Sequence, residues 1–566
     1  MMAFGVRQLR LRISRKEGLN VNIANWLSEA AYRWPQRPAL FQGTRQVADY
    51  DQFASRARAQ AVHLCAAHRV VAGDRIALFM DNCHEYLELL YAIWWVGAVA
   101  VPIDCKLHAN AAKWIIKNAE ARLVFTDDGN TFARGDLPNN CSEVVLRSDL
   151  PRRDTRHSLL KPASRRDNDL AWLFYTSGTT GRFKGVMLTH GNLMAMSLCY
   201  RLDVDQVSAN DAVLYAGPMS HGAGLYNFIH VRCGARHVVP ESRGFKAAEV
   251  FELAQALNNT SLFAPPAMVK RMVKEARLQG YSGEGIKTII FGAAPMYLAD
   301  LRNAISVFGP RLVQIYGQGE SPMTVSVLSR QAIANQSDPQ WERLAVSVGM
   351  AHSCIEIKVV DAKRKELPSG QPGEIAVRGA TVMQGYWRNE SASRNALEDG
   401  WLFTGDVGFL DHDGCLTLTD RSRDVITSGG KNVYPREVEE VLLTHPDISE
   451  VCVVGEADAE GEESVVAFVV VRQRVALELK SLDKWFVSRM APFKKPRKYV
   501  LCKILPKNSY GKILKTELRK WLSKSTNTMV NNSLVRVTDC NPRTSPPMSP
   551  AHTSGSVDSY FTVSAC

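Results

Sequence analysis

Short apolar runs of strand length alternate with amphipathic stretches through most of the chain. The run Arg75-Ile-Ala-Leu-Phe79 is followed by a helix-length pattern from about Tyr86 to Trp95. Further strand candidates cover 123–126, 288–291 and 312–316, each followed by glycine, aspartate or a turn. Alternation of this kind from Asn25 to about Thr419 predicts an α/β fold, with parallel-type sheets covered by helices.

A second, smaller pattern begins after Asp420-Arg-Ser-Arg-Asp424. Strands are predicted over 451–454 and 465–471 and a basic helix over 515–522, enough for a small α+β domain. The predicted organisation is a basic N-terminal extension (1–20), a large domain (21–420), a connecting segment (421–424), a small domain (425–522) and a tail (523–566). That tail is rich in Ser, Thr, Asn and Pro without an apolar period, so no regular structure is expected in it. The most apolar stretch, 87–103, contains Glu88 and is broken by Gly97 and Pro102. It predicts a buried helix running into a strand, and no stable membrane span.

Composition narrows the classes. A chain of 566 residues is too long for one core, and 46% hydrophobic residues can fill more than one. The net charge of +12 is spread along the chain, and clusters such as Arg152-Arg153 and Lys494-Lys495 lack interleaved aromatics, so no nucleic-acid partner is expected. The twelve cysteines are scattered, with no Cys-x-x-Cys pair and no Cys/His cluster at metal spacing. Reduced thiols and a cytoplasmic location follow as expectations. The first sixteen residues carry Arg7, Arg10, Arg12, Arg15 and Lys16 but no long apolar core, which reads as a basic start and not as a secretory signal.

The candidate chemistry starts at Tyr175-Thr-Ser-Gly-Thr-Thr-Gly-Arg-Phe-Lys-Gly185. Glycines let the main chain turn back and present N–H groups, while four hydroxyls and two cations converge on one small volume, as a polyphosphate requires. The apolar run 170–175 before it predicts a buried strand that delivers this loop to a sheet end. A Walker loop is excluded by spacing, because only two residues separate Gly178 from Gly181 and Lys184 comes later. A dinucleotide fingerprint is excluded at Gly317-Gln-Gly319-Glu-Ser-Pro322, which ends in proline.

Taken in order, these landmarks resemble the adenylate-forming superfamily, which includes acyl-CoA synthetases and luciferase-like enzymes, over about Asn25 to Leu522. The resemblance implies an acid–thiol ligase using ATP, Mg²⁺ and coenzyme A on a small-molecule carboxylic acid. It also implies that the small domain is mobile and that 421–424 is its hinge, with Arg423 at the pivot. Thr176, Ser177, Gly178, Thr179, Thr180, Gly181 and Lys184 would hold the phosphates of ATP. Gly292, Ala293 and Ala294 would pack on adenine, with the Tyr316 ring stacked on it and Gly317 beside it. Glu320 would serve catalysis by holding Mg²⁺, Asp406 and Arg421 would clamp the ribose, and His221 would form the wall between the acyl site and the phosphates. Lys512 would be the catalytic cation of the adenylation step, and Gly429 and Gly430 would line the channel for the pantetheine arm of coenzyme A.

Three positions depart from the family pattern: Phe183 for proline, Gly319 for threonine and Arg423 for lysine or aspartate. Phe183 is expected to loosen the phosphate loop, and Gly319 removes an oxygen that Ser321 or water would have to replace. The small residues Gly222-Ala223-Gly224 after His221 suggest a roomy apolar channel, favouring a medium or long fatty acid or a bulky aryl acid. A separate carrier protein in place of coenzyme A remains an alternative acceptor, and a non-catalytic nucleotide-binding protein is the alternative of another class. The oligomeric state is left open.

Overall fold

The computed structural model describes residues 20–128, 130–133, 135–146, 160–177, 183–421, 424–428, 431–457, 463–472, 479–507, 511, 513–525 and 535–536. The large domain is built on two sheets. A nine-stranded sheet runs in the order Met350–Ala351, Ser321–Leu328, Leu312–Gln318, Ile286–Phe291, Thr260–Phe263, Ala212–Leu214, Arg236–Val239, Pro38–Gln42 and Arg45–Asp49. Its inner strands are parallel, and antiparallel strands close both edges. A six-stranded sheet orders Ser142–Val145, Leu123–Thr126, Arg75–Phe79, Val99–Ile103, Leu170–Ser177 and Phe183–Thr189, parallel except for the last pair.

The apolar stretch near residue 90 becomes helix His84–Trp95 followed by strand Val99–Ile103. Every helical residue from Tyr86 to Trp95 is buried, which explains why the stretch shows no polar face. Trp94 packs against Trp172 and Phe228 at ring-centroid distances of 6.0 and 5.3 Å. Buried Glu88 is ion-paired with Arg56 at 3.1 Å. No helix among the described residues is long and apolar enough to cross a membrane.

The parallel pattern stops before Thr419. Strands Ile355–Val360, Gly373–Gly379, Leu397–Glu398, Trp401–Leu410 and Leu416–Arg421 form a wholly antiparallel sheet. Several of its connections are turns too short to hold the crossover helix that parallel pairing demands, as from Leu410 to Leu416. The small domain follows as a hairpin, Ile426–Ser428 with Lys431–Val433, and a sheet of Ile448–Ala457, Glu463–Val471 and Lys498–Leu501. The tail expectation is corrected in two places. Helix Lys515–Ser525 continues past Leu522, and Val535–Arg536 pairs in parallel with Val500 and Leu501. Buried Leu518 and Leu522 give that helix an apolar face to lay on the sheet.

Candidate active site

The site forms where adjacent parallel strands of the nine-stranded sheet end, at the loops after Leu214, Phe263, Phe291 and Gln318. The hairpin of the six-stranded sheet adds the phosphate segment. Its strands pair as far as Thr176 with Lys184 and Ser177 with Phe183. Gly178, Thr179, Thr180 and Gly181 lie outside the described residues. At the base of this hairpin the Phe183 ring packs toward Trp114 at 6.2 Å, and the residue joins the apolar cluster around Leu173 and Tyr175, while the loop it was expected to loosen lies outside the described residues.

Beyond Phe291, Gly292 has no room for a side chain, since a Cβ would lie 2.5 Å from the Ile315 carbonyl oxygen. Ala293 is exposed and holds φ +67°, a left-handed conformation that an alanine adopts at a cost of order 1–3 kcal/mol. Ala294 is half-buried beside it. At Gly317 a Cβ would meet the Met323 backbone nitrogen at 2.6 Å.

Tyr316 and Asp406 come together across two sheets. The Tyr316 hydroxyl donates to Asp406 Oδ2 at 2.7 Å, and the Gln318 side-chain amide donates to the same oxygen. Thr404 Oγ1 accepts from the Asp406 backbone N–H at 3.1 Å. Asp406 pairs in register with Arg421, whose side chain lies outside the described atoms. Gln318 is a member of the cluster that sequence motifs did not flag.

Glu320 follows the same strand. Its Oε1 accepts from the Tyr386 hydroxyl at 2.7 Å, and the Tyr386 ring in turn carries Lys184 Nζ 4.8 Å from its centroid. Burial pushes the Tyr386 hydroxyl well above the ordinary phenol value, and the Glu320 charge adds to it, so this tyrosine is a fixed donor. Tyr386 thus links the candidate metal carboxylate to the candidate phosphate cation. The only cue in the sequence is an aromatic pair after glycine in the polar stretch Gln384-Gly-Tyr-Trp-Arg388.

Gly319 is explained by its neighbours. A Cβ there would lie 2.6 Å from Thr176 Cγ2 and 3.1 Å from Phe174 Cδ1, so the phosphate strand occupies the space a threonine would need. Ser321 does not supply the missing oxygen: it is fully buried and hydrogen-bonded to Thr381 Oγ1 at 2.9 Å.

His221 stands edge-on to Phe174, with ring centroids 5.4 Å apart, and Ser220 Oγ lies 2.8 Å from its Nδ1. Burial lowers its pKa to about 4, so the ring is neutral at physiological pH. The loop leading to it is tied down by Asn82, which donates to the Tyr215 and Gly217 carbonyls and accepts from the Met219 N–H at 2.8 Å. The roomy channel expected after His221 is corrected. Gly224 is small because a Cβ would lie 1.8 Å from the Met219 carbonyl oxygen, and the space beside Gly222 is taken by Met323 Sδ and Phe263 Cε1 at 3.1 and 3.3 Å.

The small domain contacts this site through several residues. Gly511 has φ +76° and a Cβ there would lie 2.6 Å from Ala267 Cβ, at the start of helix Pro266–Gln279. Both the backbone conformation and the close approach require glycine. Lys512 itself, with Arg423, Gly429 and Gly430, lies outside the described residues. Tyr297 of the large domain donates to Glu439 Oε2 at 3.0 Å, and Arg436 donates to the Leu418 carbonyl at 3.2 Å. Lys515, at the start of the predicted basic helix, sits 3.4 Å from Asp420 and 3.9 Å from Glu439. Burial opposes its charge, but those carboxylates outweigh it and raise the ammonium above its ordinary range. Lys507, by contrast, makes a surface pair with Glu450.

The profile of the AMP-binding enzyme family matches residues 27–387, and that of the AMP-binding enzyme C-terminal domain matches 437–512. The chain belongs to the AMP-binding enzyme family. Among its relatives, a fatty acid–[acyl-carrier-protein] ligase of Streptomyces coeruleorubidus is 30% identical over 86% of this AMP-binding enzyme and 93% of the relative. A long-chain-fatty-acid–CoA ligase of Bacillus subtilis is 27% identical over 88% and 94% of the two chains. The solved O-succinylbenzoate coenzyme A synthetase of Bacillus subtilis, in complex with AMP, is similar in fold with a TM-score of 0.77 and 28% identity, covering 88% of this chain and 98% of that one. The two-part α/β architecture of the AMP-binding enzyme is therefore that of its family.

Proposed function

We propose that this AMP-binding enzyme is an ATP-dependent carboxylic acid–CoA ligase that works through an acyl adenylate. The observation that carries this reading is the meeting of Tyr316 and Gln318 with Asp406 across two sheets, and the close approach of Gly511 to Ala267 supports it. A nucleotide bound there would have its ribose at Asp406 and Arg421, its adenine at Gly292, Ala293, Ala294 and Tyr316, and its phosphates at the hairpin tip and Lys184. In the first step a carboxylate oxygen attacks the α-phosphorus, a P–O bond forms, and pyrophosphate leaves. Two anions must approach each other, and Lys512, the residue after Gly511, is the cation that offsets their repulsion. In the second step a thiol sulfur attacks the carbonyl carbon, the thiol proton is lost, and AMP leaves with its oxygen.

Mg²⁺ fits the donor set at Glu320, a half-buried carboxylate held in place by Tyr386, and when bound it neutralises phosphate charge. Lys184 resting on the Tyr386 ring is positioned to reach the same phosphates. His221, neutral and edge-on to Phe174, closes the acyl side against water without adding charge beside the phosphates. The acid is a medium or long fatty acid or a bulky aryl acid, as the named substrates of the fatty-acyl and O-succinylbenzoate relatives support. Coenzyme A is the favoured acceptor, with Gly429 and Gly430 beside its thiol arm after rotation about Arg423. The carrier-protein ligase among the relatives keeps the carrier as the second reading. Ten free cysteines among the described residues agree with a reducing, cytoplasmic setting.

The test is release of AMP and pyrophosphate across a panel of acids, with and without coenzyme A. AMP is expected with acid, and thioester only when thiol is supplied. Formation of ADP, or no nucleotide turnover with any acid, would sink the reading. Lys512→Ala is expected to lose acid-dependent pyrophosphate exchange by a factor on the order of 10² or more while ATP still binds.

A further inference from the structure

The helix that follows the phosphate hairpin ends in a set of donor groups that adenylation does not use. Helix His190–Cys199 runs directly into a π-helical turn over Tyr200–Val204, and Cys199 and Asp203, four residues apart, lie on one face of it. Opposite them, the edge strand Met350–Ala351 leads into His352-Ser-Cys354. Cys199 Sγ, an Asp203 carboxylate oxygen and a His352 ring nitrogen lie within 4.8 Å of one another. Cys354 adjoins Cys199, and the two thiols influence each other's ionisation, but Cys354 stands outside this group of three.

The cluster is held from both sides. His352 Nδ1 is 3.0 Å from Asp203 Oδ2, and the Ser353 backbone N–H donates to that same oxygen at 3.0 Å. The His352 side chain is fully buried, yet its Nε2 has no hydrogen-bond partner among the described residues. That nitrogen lies on the ring edge away from Asp203, so the atom that faces the cluster is Nδ1. Two thiols, an imidazole and a carboxylate make a borderline-soft set, unlike the oxygen-only chemistry at Glu320.

We propose that Cys199, Asp203 and His352 form a binding site for a zinc-class divalent ion, with Cys354 beside Cys199 as the thiol available to complete it. Tetrahedral coordination with bonds of roughly 2.0–2.3 Å would draw Cys199 inward and exchange the direct His352–Asp203 hydrogen bond for two bonds to the ion. Each thiol releases its proton to solvent as its sulfur bonds the metal, and the imidazole keeps its proton on the nitrogen that does not coordinate. The ion would staple the helix after the phosphate hairpin to the edge of the nine-stranded sheet, where Met350–Ala351 pairs with the strand that begins one residue after Glu320. Its role is structural and separate from acyl transfer.

Full-length protein, stripped with a chelator under reductant and titrated with Co²⁺, is expected to bind one ion per chain. A thiolate-to-cobalt charge-transfer band should appear and be displaced by Zn²⁺, and Zn²⁺ should raise the thermal midpoint. Cys354→Ser, at a half-buried position, is expected to keep its fold and ATP binding while cobalt affinity falls at least about tenfold and the band weakens. Cys199→Ser should behave alike. A band that persists unchanged in both variants would assign the cobalt to other thiols and overturn the proposal. Failure of the fully reduced wild type to bind cobalt would overturn it as well. So would oxidation of this pair to a disulfide in a chain that binds no metal when reduced.

Discussion

Where Tyr316 and Gln318 meet Asp406, the partners sit on strands of one domain, and the tyrosine bond is 2.7 Å long. Where Lys515 meets Asp420 and Glu439, the separations are 3.4 and 3.9 Å, and the lysine belongs to the small domain while Asp420 lies in the last strand of the large one, Leu416–Arg421. The first arrangement is a set of hydrogen bonds within a rigid frame. The second is a charge cluster, too long in part to be hydrogen-bonded, across the segment about which the small domain would turn. Contacts that hold the nucleotide through two half-reactions need permanence, whereas contacts that must break between them need only favour one arrangement.

The comparison breaks most sharply at Asp406. Asp406→Ala removes the proposed ribose acceptor together with the oxygen to which the Tyr316 hydroxyl and the Gln318 amide donate, a loss of about 1–3 kcal/mol for a buried hydrogen-bonded group. We expect kcat/KM for ATP to fall by a factor on the order of 10²–10³ in both adenylation and overall turnover. A loss confined to thioester formation would contradict the clamp.

A smaller and differently distributed effect is expected at the junction. Lys515→Met removes the cation that Asp420 and Glu439 share. Pyrophosphate exchange should drop about tenfold, equivalent to ~1.4 kcal/mol, while thioester formation from preformed adenylate changes by less than about twofold. Equal losses in both steps would mean that Lys515 supports the fold and not the domain arrangement.

The third effect is on stability and not on rate, concerns pH and belongs to the large domain. Burial lowers His190 to about 3 and His221 and His230 to about 4, so the folded form keeps them neutral where the unfolded chain binds protons. Because the unfolded state binds more protons below the ordinary value near 6.5, stability is present above that pH and is lost as pH falls toward 4, by about 1.4 kcal/mol per pH unit per histidine. The urea midpoint of the large domain should therefore fall between about pH 6.5 and 5.5, above the ordinary carboxylate range. An unchanged midpoint across that window would remove the histidines from the stability of the domain.

Much of the large domain was readable because parallel strands buried on both faces are short continuous apolar runs, and those over 75–79 and 123–126 coincide with observed strands. The antiparallel sheet from Ile355 to Arg421 was not, since its strands alternate and its connections are turns, a weaker signal than a helix between strands. Within the site, Tyr316, Glu320 and Asp406 were found through local motifs. Tyr386, Gln318, Glu439 and Ala267 were not, because each acts on a partner far away in the chain, as Tyr386 does on Glu320. The small residues after His221 misled for the same reason: their neighbours, Met323 and Phe263, come from other segments.

By itself the sequence determined the two-part α/β plan, the family chemistry and the order of the motifs, since glycine spacing, apolar runs and turn residues act over a few positions. Only the tertiary structure decided that Gly319 is small because Thr176 and Phe174 occupy its space, that Lys515 lies between two carboxylates, and that Cys199 and Cys354 meet. Those outcomes depend on sheet order and on packing between distant segments, and packing at interior density admits one arrangement that no local pattern encodes.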